Sequence, residues 1–121
     1  MTNSEFKKII VKPFISNGFK RVAKNLRFDG SAASILVGLQ KLEFDKQYFI
    51  NVGIWLRALG EEVPQKVEHA HMFYRLERLF PRLREAVLDG GQLWHPEQPR
   101  SANHLATIIG EECIPVMADL T

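Results

Sequence analysis

The stretch whose reading decides the fold is Gln47-Tyr48-Phe49-Ile50-Asn51-Val52-Gly53-Ile54-Trp55-Leu56-Arg57. Tyr48, Ile50, Val52, Ile54 and Leu56 share one parity, and Phe49, Asn51, Gly53 and Trp55 share the other. Successive strand side chains point to opposite faces, so this period of two predicts a strand with one continuous apolar face. Which face a second layer covers is left open. If helices take the Ile/Val face, Phe49 and Trp55 remain as an aromatic patch able to anchor a partner. Core packing is the alternative role for Trp55, as it is for Trp94.

Working outward, Ala33–Leu42 alternates in the same way, with Ile35, Val37 and Leu39 on one face and Leu36, Gln40 and Leu42 on the other. The link Glu43-Phe44-Asp45-Lys46 suits a hairpin and hence antiparallel pairing. Before it, Phe19–Phe28 reads as one strand closing on the turn signal Asp29-Gly30. The chain opens with a helix, in which Phe6, Ile9, Ile10, Pro13 and Phe14 form one apolar stripe. Asn3 or Ser4 can cap it, Pro13 should kink or divide it, and Asn17-Gly18 should stop it.

Downstream the pattern is ambiguous between helix and strand. The reading adopted is a strand over His69–Leu76 and then a short helix opening with Pro81 at its first position. Asp89-Gly90-Gly91 ends that helix, and Gln92–Arg100 is a loop carrying Trp94. Ser101 caps a helix over about Ala102–Glu112, Cys113-Ile114-Pro115 stops it, and Val116–Leu120 forms a last turn. The expected class is α+β: an antiparallel meander of about four strands packed with an N-terminal helix and C-terminal helices, one domain spanning residues 1–121.

Composition narrows the function classes. Hydrophobic residues make up 45% and charged residues 25%, ordinary values that argue against a fibrous or disordered chain. No run approaches the roughly 18 apolar residues of a membrane span, and no signal-peptide pattern opens the chain. Cys113 is the single cysteine, which excludes an intrachain disulfide and a Cys-x-x-Cys metal site and makes the cytoplasm the expected compartment. The net charge of +2 hides an asymmetry. Residues 1–28 hold Lys7, Lys8, Lys12, Lys20, Arg21, Lys24 and Arg27 against the one acid Glu5. Such a quarter could meet phosphates or an acidic protein, or it could be a solvated face.

Several short motifs resemble a known family. Gly18-Phe19-Lys20, Leu39-Gln40-Lys41, Phe49-x-Asn51-x-Gly53, His71 with Arg75-Leu76, the Trp94 region and Ile114-Pro115-Val116-Met117 are similar to the bacterial family called domain of unknown function 4304. The family often has a second tryptophan beside the first, where this chain has His95. The resemblance implies a meander with a strand around His71–Leu76 and supplies no reaction. Small domains of this build commonly serve as binding partners, immunity proteins among them.

For chemistry, the first candidate is His69-x-His71. On a strand both imidazoles would share a face and could reach one metal or substrate, but a metal site needs a third ligand. With Arg75 the row could instead bind an anion, or the histidines could be half-exposed surface groups. Gln40 and Asn51 are polar residues inside apolar strands, either polar groups of a ligand pocket or partners of each other across the hairpin. Gly38 and Gly53 mark bulges or close backbone approach. Cys113 reads as a small buried hydrophobe, and no Gly-x-Ser-x-Gly is present.

The expectation is therefore a non-enzymatic binding or protein-interaction module. It would use His69, His71, Arg75, Asn51, Gln40, Trp55 and Trp94, with no cofactor and no catalytic or metal-ligating set. The alternative is a small hydrolase or metal-dependent enzyme centred on His69, His71 and Arg75. A protein partner is expected and a membrane is not; the basic first quarter keeps nucleic acid open, and the oligomeric state is not legible.

Overall fold

The computed structural model describes residues 1–121. Helix α1 (Asn3–Ser16) buries Phe6, Ile10, Val11 and Phe14 along one stripe. Its cap is Thr2 rather than Asn3 or Ser4: Thr2 has extended backbone, and its hydroxyl accepts from the Glu5 amide at 3.1 Å. Pro13 does not divide the helix. Interior proline costs about 3 kcal/mol, but Phe14 is fully buried and packs edge-on against Phe19 at 5.1 Å, so the last turn is held by its side chains.

Five strands follow as an antiparallel meander in chain order: β1 (Lys20–Val22), β2 (Asn25–Asp29), β3 (Ala33–Leu42), β4 (Gln47–Leu56) and β5 (Met72–Arg75). The expected count of about four becomes five because Phe19–Phe28 is not one strand. It folds back at Ala23-Lys24, where Ala23 adopts φ +56°. A non-glycine residue there costs about 1–2 kcal/mol and carries no sequence signal. The decisive hairpin is as expected, with ten pairs in register from Ala33 opposite Leu56 to Leu42 opposite Gln47.

The strand expected over His69–Leu76 shrinks to Met72–Arg75, and Leu76 already opens the short helix α2 (Leu76–Leu79). Pro81 starts a 3₁₀ turn ahead of α3 (Arg84–Gly91). Helix α4 (Arg100–Ile108) begins one residue before Ser101, which therefore caps nothing. Nor does the helix stop at Cys113-Ile114-Pro115. A π-helical stretch, Ile109–Cys113, leads directly into α5 (Ile114–Asp119), with the Ile114 amide bonded to the Ile109 carbonyl. One extra residue in the turn lets the axis pass the missing amide of Pro115.

The helices cover the Ile/Val face. Ile35, Val37, Ile50 and Val52 join Phe6, Phe14, Leu105, Ile109 and Met117 in one cluster of 23 buried residues. Phe6 stacks on Tyr48 with ring centroids 4.4 Å apart. The opposite face is crossed by the chain between β4 and β5. Val67 in that crossing is 2% exposed and sits against Gly38 and Gly53, where a methyl group at Gly53 would come within 2.7 Å of the Val67 carbonyl. Both glycines thus serve close approach rather than bulges.

Candidate functional site

Strand register sets the open face row by row. Trp55 stands beside Ser34, Gly53 between Leu36 and Phe73, Asn51 between Gly38 and Arg75, and Phe49 beside Gln40. Gln40, Asn51, Trp55 and Arg75 therefore share a face, as the alternation of their strands requires.

They divide into three neighbourhoods. At the end near the β4 C-terminus, Trp55 stacks on His71 with centroids 3.8 Å apart. The indole Nε1 donates to the Gly60 carbonyl at 2.8 Å, and His71 Nδ1 accepts from the Leu56 amide at 2.9 Å. Both rings are structural clamps for the crossing chain. His69 is exposed in the 3₁₀ turn Val67–His69, so the two histidines do not sit together on a strand. No group of three or more His, Cys, Asp or Glu side chains is placed to hold a metal ion.

In the middle, Asn51 Nδ2 donates to Gln40 Oε1 at 3.0 Å, while Asn51 Oδ1 is buried without a partner. A hollow of about 480 Å³ opens here between the sheet, Phe73 of β5 included, and Val67 and Glu68 of the crossing chain.

The third neighbourhood lies at the β3–β4 hairpin end, where a cleft of about 750 Å³ opens. Phe49 and Arg75 line it from the sheet, Phe44 and Asp45 from the hairpin turn, and Glu77, Arg78, Arg84 and Leu88 from α2 and α3. Gln47, Gln92 and Trp94 close the side. The Arg75 guanidinium lies 3.7 Å above the centroid of the Phe49 ring. Stacking on an aromatic face fixes the planar group and leaves its N–H edges free to face the cleft. Phe44 and Trp94 are 98% and 70% exposed, two large apolar groups in water.

The electrostatics of this cleft are unusual. Of the six ion pairs in the protein, none uses Arg75, Arg78 or Arg84. Glu77 lies among them, 7% exposed, with one carboxylate oxygen enclosed and unbonded. An unbonded buried acceptor costs about 1–3 kcal/mol. A well-bonded contrast stands at the far end of the sheet. There Asp29 accepts from Arg27 and Ser34 at 2.6 and 2.7 Å. Burial alone would raise the Asp29 carboxyl, but these bonds and the charges of Arg27 and Arg57 win and hold it below the ordinary carboxylate value.

Of the residues singled out from sequence, the fold thus brings Arg75 and Trp94 to one cleft, pairs Gln40 with Asn51 beside it, and uses Trp55 and His71 for packing. Phe44, Glu77, Arg78 and Arg84 were not foreseen. Phe44 in a turn otherwise made of charged residues was the available signal; the arginines carried none, because they are spread around Pro81 on two short helices. Cys113 is buried in the core, and burial with the Glu112 charge pushes its thiol up to about 12, which suits an inert packing group.

No helix is long and apolar enough to cross a membrane. A family model described as domain of unknown function (DUF4304) matches residues 10–114. No curated protein and no solved structure matches the chain.

Proposed function

The chain belongs to the DUF4304 family, and we propose from the cleft at its hairpin end that it acts as a non-enzymatic binding module, docking an acidic segment of a partner protein. The observation that carries this reading is the convergence of Arg75, Arg78 and Arg84, all without carboxylate partners, between exposed Phe44 and Trp94. Guanidinium groups match carboxylates through paired N–H donors, and exposed aromatics supply the apolar anchors that dominate interfaces. Asp45 and Glu77 bring the ionisable lining close to balance, which suits a segment with isolated carboxylates better than a densely charged ligand. The lining supplies charge and stacking surface, with no serine, cysteine or histidine to act as nucleophile or base.

The test is fluorescence anisotropy with a labelled peptide carrying two or three acidic residues around one aromatic residue, read alongside Trp94 emission. Arg75→Ala is expected to weaken binding about tenfold, the scale of one charge-assisted hydrogen-bonded contact. Trp94→Ala should weaken it further. Binding that is indifferent to both substitutions, or no binding at millimolar peptide, would sink the reading.

A further inference from the structure

A second cleft shares no residue with the first and has a different charge balance. It is a groove of about 590 Å³ between α1 and the β1–β2 hairpin. Lys7 and Lys8 line it from α1, Arg21 from β1, and Lys24 from the turn that follows, and no carboxylate lines it at all. None of the four takes part in an ion pair, and Glu5 is the one acid among residues 1–28. Four cations without a counter-ion repel one another, so a bound anion gains their attraction and relieves that repulsion. All four are exposed, whereas the apolar lining is partly exposed Leu39 together with the more deeply buried Val11, Leu26 and Val37. The groove therefore has a cationic rim over an apolar floor. All four belong to the basic first quarter of the sequence, and the packing of α1 against the sheet brings Lys7 and Lys8 to one groove with Arg21 and Lys24.

We propose that this groove binds a small organic polyphosphate, its phosphoryl groups on the rim and a flat or apolar body on the floor. A phosphate chain carries two or more closely spaced charges, which four uncompensated cations accommodate and the nearly balanced hairpin cleft does not. The volume lies within the range of small-molecule sites and is too small to enclose a folded partner.

The test is calorimetric titration of the full chain with ADP, inorganic pyrophosphate and adenosine, without divalent cation, at low and high salt. ADP is expected to bind tightest, pyrophosphate more weakly and adenosine not detectably, with the ADP affinity falling as salt rises. Lys7→Gln with Arg21→Gln should weaken ADP binding by at least tenfold. The ligand-free thermal midpoint of that variant should stay level or rise, since like charges are removed, and this separates lost binding from lost folding. Arg75→Ala, in the other cleft, should leave ADP binding unchanged, so failure of either site is read independently. Failure of ADP to bind, or ADP binding that survives the double substitution, overturns the proposal. Pyrophosphate binding as tightly as ADP also overturns it, because the apolar floor would then take no part.

Discussion

On the helix side of the β3–β4 hairpin, Ile35, Val37, Ile50 and Val52 are each at most 1% exposed. On the other side of the same two strands stand Gln40, Phe49, Asn51 and Trp55, all at least partly exposed, under a crossing chain that touches down through Val67. The first face is held by area: many apolar groups, none individually specific, at about 25 cal/mol per Å² removed from water. The second is held by fit, through one valine against two glycines, one indole on one imidazole, and a few hydrogen bonds. A face held by fit leaves polar groups and clefts at its margins, and the hairpin-end cleft lies at such a margin. The hairpin-end cleft thus borders the face held by fit, while the face held by area carries the buried core.

Three measurements can break that division. The largest effect is expected from Ile50→Ala, which should lower unfolding free energy by about 2–5 kcal/mol in denaturant titration, the usual cost of an aliphatic-to-alanine cavity. A loss below about 1 kcal/mol would mean that the helix layer is loosely packed and the comparison wrong. Next comes Gly53→Ala. Its methyl group would meet the Val67 carbonyl at 2.7 Å and the Ala70 methyl at 2.9 Å. Overpacking of this kind costs about 1–3 kcal/mol, and here it should be concentrated in the crossing chain. Hydrogen exchange should therefore speed up at the Leu56 amide, which His71 accepts, more than at core amides of α1. Uniform acceleration throughout the molecule would count against a locally keyed face.

The smallest effect is expected at Asp29, in the network with Arg27, Ser34 and Arg57. Its carboxyl is held below the ordinary value, so the folded state binds the proton less readily than the unfolded chain does. The associated stability is fully present above the unfolded pKa, about 4, and is lost as pH falls through the folded value. Asp29→Asn should flatten the acid limb of the stability curve in that window and leave its shape unchanged above about pH 6. Its side chain is about half exposed, so the change should be modest. Acid limbs that run parallel in the two proteins would show that the network contributes nothing through this carboxylate.

Much of the fold was legible because alternation and amphipathic spacing are local properties. The β3–β4 hairpin, the first helix and the loop at Trp94 follow from residues that are neighbours in the chain. The misreadings cluster where a local signal was weak or was outvoted. Ala23 bends the chain without a glycine, Pro13 and Pro115 sit inside helices that tertiary packing carries past them, and His69 leaves the strand because Val67 must reach the glycines. The candidate site was legible only in part. Arg75 and Trp94 stood out as residue types, but their meeting with Arg78, Arg84 and Phe44 depends on how α2 and α3 dock at the hairpin end.

By itself, then, the sequence determined the α+β class, the long hairpin with its Ile/Val face, and the scarcity of negative charge in the first quarter. Each of these is a property of spacing or composition. Only the tertiary structure decided which face the helices cover, that Trp55 clamps a crossing chain, and that separate cations gather around two unlike clefts. Those depend on how the elements dock against one another, fixed by burial and packing geometry that no local pattern records.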